Sequence, residues 1–470
     1  MEALKMSERE ASEKIGRKRS ASLYQAVWRW HFYAGLIFSP FLIILAFSGG
    51  VYLFKPQIEN VMYQDLYFVE EGGAALAASA QTAGVLESYP DASVTSVRFY
   101  DDPARSTEVG IMQNGEAASV YVNPYNGSVL GDIPSGERFT DIFVSIHSEL
   151  LIGGTAANLL VELAACWAVI LLITGLYIWW PRKRSAIWGT VLPRLRSKGR
   201  TFWRDLHAVP AFWLSLGILV LILTGLPWSG VMGEQINRLA TSTNTGYPAF
   251  AQSFGEKPES QVLAKDVASD VPWASENMPV PSSVDNGYVP ISVDDAVTVA
   301  SQQNIAKPYT ISMPQGEAGV YTLATSHANP SDSATIHLDQ YTGSILSDVR
   351  FQDYGIMAQG ITLGIALHEG RLFGLANQIL GLIVCIGLIF VIISSFVMWK
   401  KRKPKGRSGA PAKSKDKKVT RIVFFIMLAL GVLMPLVGIS IIVIYLLDRF
   451  VIPRIKPLQK QLFEGGGANE

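Results

Sequence analysis

The chain has 470 residues, 49% of them hydrophobic and 17% charged, with a net charge of +1. Soluble enzymes carry about 25% charged residues, and nucleic-acid binders show a basic excess; this composition fits neither. Its two cysteines, Cys166 and Cys385, each sit inside an apolar run, so there is no C-x-x-C-H haem-attachment motif and no cysteine zinc site.

In chain order, a basic N-terminal segment (1–29, with Lys14, Arg17, Lys18 and Arg19) leads into a first apolar run, Trp30–Phe54. A bilayer core needs about 20 apolar residues in a helix. Four further runs meet that length: Leu159–Trp180, Val209–Trp228, Leu375–Trp399 and Ile422–Leu447. The first run is longer than a signal-peptide core and reads as a retained span. Basic residues fill the segments at 181–203 and 400–421, so these and the N-terminus belong on the cytoplasmic side. The long segments at 55–145 and 229–367 then lie outside, with the tail at 448–470, although Arg449, Arg454, Lys456 and Lys460 in that tail oppose this placement. Segments 146–180 and 368–399 each combine an interfacial stretch with a span. The outer segments alternate like strands at Ser93–Tyr100 and Ser119–Val122 and carry Gly, Pro, Ser and Asp turn signals. They predict two small α+β domains, the second padded by a polar stretch at Phe250–Asn286.

An internal repeat organises the chain. The stretch Val120–Asp132 aligns without a gap on Ile336–Asp348, each a strand, a turn with Gly127 or Gly343, and a second strand. Trp30-His31 opens the first span and Trp203-Arg-Asp-Leu-His207 the third. His147-Ser-Glu-Leu-Leu-Ile-Gly precedes the second and His368-Glu-Gly-Arg-Leu-Phe-Gly the fourth. The unit span–domain–span is used twice, and the fifth span stands apart. Transporters built from inverted repeats usually break their helices at mid-membrane, whereas here both repeats insert with the same orientation.

Four of the six histidines fall at equivalent places in the two repeats. His31 and His207 lie at the inner ends of their spans, and His147 and His368 at the outer ends. Ionisable groups at membrane depth are costly and usually functional. Two imidazoles, one from each side of a ring, are what a b-type haem iron requires. The pairing predicts two haems, one at His31 and His207 and one at His147 and His368. Gly49 and Gly225 each follow a histidine by 18 residues. Five helical turns return them to the histidine's face, where a missing side chain leaves room for a macrocycle; helix packing is the plainer reason for small residues there. His147 is too far from Thr174 for one spanning helix and predicts a break near Gly153-Gly154. His327 and His337 have no counterpart and read as ordinary domain residues. Glu162 and Glu369 are candidates for proton transfer, Glu369 also for pairing with Arg371. The basic loops could dock an acidic donor. No G-x-G-x-x-G follows a strand, and no P-loop, metalloprotease motif or Ser-His-Asp set is present.

Trp30-His31…Ser48-Gly49-Gly50, the two hairpins, His147…Thr174-Gly175…Trp179-Trp180-Pro181-Arg182 and Thr224-Gly225-Leu226-Pro227-Trp228 resemble the PepSY-associated transmembrane helix family over roughly residues 22–403. That family includes bacterial iron-regulated membrane proteins and a ferrioxamine-type ferric-siderophore reductase with two b-type haems between its helices. The resemblance implies PepSY-type outer domains, haem ligation at the four histidines, and electron transfer from a separate donor, a quinol or a cytoplasmic flavoprotein, to a ferric chelate outside the cytoplasmic membrane. Ser394-Ser395, where Thr-Gly is expected, and the fifth span depart from the pattern. The rival expectation is a membrane-anchored module that binds or inhibits a peptidase or envelope partner without redox chemistry.

Overall fold

A computed structural model describes residues 2–181, 187–246, 261–268, 270–285, 287–325, 329–403, 409, 416–447, 450 and 454, with backbone alone for 2–21 and 420. His327, Arg182, Lys183, Arg184, the stretch 247–260 and nearly all of the C-terminal tail lie outside the described residues. In chain order the elements are α1 (Glu2–Tyr52), α2 (Lys55–Met62), α3 (Gln64–Tyr67), α4 (Ala78–Ser88), β1 (Ala92–Phe99), β2 (Thr107–Gln113), β3 (Glu116–Val122), β4 (Val129–Pro134), α5 (Phe139–Glu149), α6 (Gly154–Trp179), α7 (Arg200–Gly225) and α8 (Gly230–Ser242). Then follow α9 (Ala264–Val267), α10 (Val293–Gln302), β5 (Tyr309–Ser312), β6 (Val320–Thr325), β7 (Ala334–Asp339), β8 (Ile345–Arg350), α11 (Ile356–His368), α12 (Gly374–Arg402), α13 (Lys417–Leu433) and α14 (Pro435–Leu446). They form two compact units. The helical unit comprises Met1–Gly50, Ser145–Glu234 and Leu380–Glu470, and the sheet unit Val51–Val144 and Gln235–Ile379.

Among the described residues, four helices are long and apolar enough to cross a membrane: Ser22–Tyr52, Gly154–Trp179, Arg200–Trp228 and Gly374–Arg402. These match the first four expected spans. The fifth does not form one helix. Residues 422–447 are divided between α13 and α14, which fold back on each other. The rings of Phe424 and Tyr445 lie 6.2 Å apart, whereas 21 residues of continuous helix would separate them by about 31 Å. The cause is local. Pro435 lacks a backbone N–H and disfavours the helical conformation in the residue before it; Met434 has φ −127° and ψ 86°. Gly431 and Gly438 meet at the crossing, where a Cβ on Gly431 would stand 2.5 Å from the Gly438 Cα. The hairpin packs on α6, with Trp167 Nε1 donating to Ser440 Oγ at 3.0 Å and Val437 and Ile441 buried.

The sheet unit corrects a second expectation. The two outer segments do not form two separate domains. They join in one eight-stranded antiparallel sheet, ordered β4-β3-β2-β1-β5-β6-β7-β8. The seam pairs β1 with β5, Val97 opposite Ile311 and Phe99 opposite Tyr309. Each four-stranded half would otherwise expose an unpaired edge, a template for aggregation; here each edge satisfies the other. A row of wholly buried residues crosses the seam: Val120, Val109, Val97, Ile311, Leu323 and Ile336. α4 and α10 cover this face, tied by the Ser79 N–H donating to Asp294 Oδ1 at 3.0 Å. The repeated turns hold Gly127 at φ 75° and Gly343 at φ 68°, a left-handed conformation that glycine adopts without a Cβ clash.

The opposite face differs between the halves. In the first half Tyr121, Glu108 and Arg98 line it; in the second the equivalent residues are His337, Thr322 and Ser312, by strand register. Glu108 lies between Arg138 Nη2 at 2.5 Å and the Tyr100 hydroxyl at 2.8 Å. Burial alone would raise its pKa, but Arg138 and Arg98 outweigh that and hold the carboxyl below its ordinary range. His337 is 3% exposed, and its Nδ1 lies 3.0 Å from Thr322 Oγ1. Burial lowers its pKa to about 4 from the ordinary 6.5. The fold favours the neutral ring, so His337 takes nothing from stability above pH 6.5 and costs progressively more as pH falls toward 4, up to about 3 kcal/mol. Urea unfolding of the full chain, followed by fluorescence at pH 7.5 and 4.5, should show this loss in the wild type and a smaller loss in His337→Asn. Equal losses in both would remove His337 as the cause.

Candidate functional site: the histidine seats of the helical unit

His31 lies on α1 and His207 on α7, two turns in from that helix's start. Their rings approach with centroids 6.4 Å apart and planes 69° apart. His207 Nδ1 lies 2.9 Å from the Val391 carbonyl, so Nδ1 carries the proton and Nε2 keeps its lone pair. His31 Nδ1 lies 2.9 Å from Thr174 Oγ1. The Thr174 hydroxyl already donates to the Ile170 carbonyl at 2.7 Å, so toward His31 it acts as acceptor. The Leu171 carbonyl also bonds the His31 ring. Both inner histidines therefore hold the same tautomer.

Local packing fixes the pair. A Cβ on Gly175 would come within 3.2 Å of His31 Cε1, so glycine gives the imidazole its place. Trp167, 1% exposed, stacks on Trp30 at 6.3 Å and on Phe38 at 5.4 Å, one residue and two turns from His31. At the start of α7, Asp205 is 1% exposed and bonds Arg194 through Nε at 2.7 Å and Nη2 at 2.9 Å. This pair anchors the basic segment to the turn that carries His207.

His147 lies on α5, separated from α6 by a tight turn. Leu150, Leu151, Gly153 and Gly154 all have positive φ, between 54° and 80°, so the break falls where the sequence predicts it. His147 Nδ1 is 3.1 Å from both the Leu45 carbonyl and Ser48 Oγ. A Cβ on Gly49 would stand 3.0 Å from His147 Cε1. Gly49 thus seats an imidazole, at the histidine assigned from sequence to the outer pair. His368 ends α11 and belongs to the sheet unit, as do its neighbours Glu369 and Arg371, which form an ion pair. Gly225 ends α7. Glu162 serves the fold. Its carboxylate accepts from the Val231 and Met232 N–H groups at 2.8 and 3.0 Å, and Asn158 accepts from Gly230 at 3.2 Å. Glu162 thereby caps the N-terminus of α8, where a negative charge is favoured.

The inner pair can be tested against haem. Two imidazoles that share one metal at about 2 Å from each would need ring centroids no more than roughly 6 Å apart. The observed spacing, the shared tautomer and the apolar surroundings fit a group held by two neutral imidazoles. Among the described residues no three His, Cys, Asp or Glu side chains converge; a haem asks for two. Thr174, Ser48 and the Val391 carbonyl were not legible as histidine partners. The repeated Ser-Gly and Thr-Gly pairs were the available signal, but they name a helix face and not what it meets.

Four apolar helices of spanning length together with a continuous antiparallel sheet define a membrane protein with a β-sheet domain. Residues 28–402, most of the chain, match the PepSY-associated TM region, and the chain belongs to that family. No protein of curated function matches the sequence.

Proposed function

We propose that this chain is a multi-pass protein of the bacterial cytoplasmic membrane that holds two b-type haems, one at His31 with His207 and the other with His147 as a ligand, and passes electrons outward to reduce a ferric siderophore or other ferric chelate during iron uptake. The observation that carries the reading is the inner pair, two half-buried imidazoles of one tautomer with centroids 6.4 Å apart. A bound haem supplies one-electron redox chemistry. The chain's own residues set its surroundings. His31 and His207 would ligate from two helices, Thr174 and the Val391 carbonyl orient them, and Trp167 and Phe38 help exclude water. The donor is separate, a quinol in the membrane or a cytoplasmic flavoprotein. The basic segments flanking the spans support a topology with the N-terminus inside and the sheet unit outside.

Vesicles holding the purified protein and a quinol, with ferrioxamine outside, should form ferrous iron faster than protein-free vesicles. His31→Ala should abolish the excess. Equal rates with and without protein would contradict the reading.

A second reading has one observation in its favour. The sheet unit contains a cleft of about 600 Å³ lined by Gln81, Tyr100, Asp102, Arg105, Tyr125 and Tyr309 among others. This suits a module that binds a peptidase or envelope partner, with the helices as anchor. It leaves the histidine seats without a purpose.

A further inference from the structure

We infer that Ser48, Thr174 and Ser394 are positioning residues, three copies of one seat that fixes a histidine by its Nδ1–H; the inference rests on the haem reading above. In each copy the ring bonds the carbonyl three residues before a hydroxyl side chain. His147 takes the Leu45 carbonyl, three before Ser48. His31 takes the Leu171 carbonyl, three before Thr174. His207 takes the Val391 carbonyl, three before Ser394. Each hydroxyl is turned into its own helix. Ser48 Oγ donates to the Ile44 carbonyl at 2.8 Å, Thr174 Oγ1 to Ile170 at 2.7 Å, and Ser394 Oγ to Val391 at 2.8 Å.

That orientation has a chemical consequence. A hydroxyl that spends its proton on its own helix presents a lone pair outward, and only an N–H can bond it. In two seats it does so, at 3.1 Å for Ser48 and 2.9 Å for Thr174. These histidines therefore have two acceptors for one Nδ1–H, which fixes the tautomer and makes the opposite nitrogen a more basic ligand. All three hydroxyls also reach the carbonyl their ring uses, Ser48 and Thr174 at 3.2 Å and Ser394 at 2.8 Å; in the third seat that carbonyl is the one acceptor the His207 ring has among the described residues. The next residue follows the same division. Gly175 and Gly49 leave space for the ring at 3.2 and 3.0 Å, whereas Ser395 carries a side chain at the corresponding place. The inner pair is therefore unequal, with His31 the more firmly held and more electron-donating ligand. Thr224 occupies the fourth equivalent place and donates in the same manner to Val220 at 2.7 Å.

The test uses the full-length protein, purified with haem supplied during expression. Thr174→Val keeps the side-chain shape and removes the acceptor. It should shift the absorption and EPR spectra of one haem only, raise that haem's reduction potential, and speed its loss to an apo-globin trap about tenfold. Thr174→Ser should restore all three. Ser48→Ala should alter the other haem, which keeps the idea testable if Thr174→Val cannot be recovered. Haem-loaded variants with wild-type spectra, potentials and loss rates would overturn the seat and leave the haem reading standing. A wild type that holds no haem would overturn both.

Discussion

Arg138→Leu should destabilise the sheet unit by about 2–3 kcal/mol, because it strands a half-buried carboxylate. Glu108 and Arg138 have side chains 14% and 22% exposed, and Arg138 also donates to the Tyr121 hydroxyl at 2.9 Å and to Ser119 Oγ at 3.2 Å. Tyr67 and Tyr121 pack beside this group with ring centroids 5.1 Å apart, so water cannot easily replace the lost cation. A buried ion pair adds little over a well-packed apolar pair; removing one partner is what costs. The double variant Glu108→Gln, Arg138→Leu should therefore recover much of the loss. Chemical unfolding of the full chain, followed by the fluorescence of the sheet unit, gives the comparison. A single variant as stable as wild type would show that Glu108 is held by other groups.

Much of this architecture was legible in the sequence, for physical reasons that differ by element. Four spans follow from length and hydropathy alone. The turns at Gly127 and Gly343 follow from local backbone chemistry, and so does the break at Gly153-Gly154. The β1–β5 seam was not legible, because each half satisfies its own strand pattern and the choice of edge partner is non-local. The α13–α14 hairpin was missed because an apolar count does not weigh Pro435, although that proline with Gly431 and Gly438 carries the whole signal. Gly49 shows an intermediate case. Its spacing from His31 puts it on that histidine's helix face five turns away, but nothing local to α1 says that the His147 ring is what meets it there.

On the haem proposal, His31→Ala should remove one haem from the protein and leave the other, and His207→Ala should remove the same one. The reason is geometric. Two imidazoles with centroids 6.4 Å apart, each with Nδ1 engaged, leave Nε2 on both rings for the one ligand the proposal assigns them, and a single imidazole loses the paired ligation. No helix-packing role would make two residues on different helices behave alike in colour while sparing a second chromophore. Gly175 and the Trp167 stack remain in both variants, so the rest of the unit has no cause to unfold.

The decisive measurement is a pyridine haemochrome count on the purified full-length protein, with oxidised and reduced spectra, for wild type, His31→Ala and His207→Ala. The account predicts two b-type haems per chain in the wild type and one in each variant, with the same component missing from both. A colourless wild type with haem supplied, or variants that retain both haems, would contradict it.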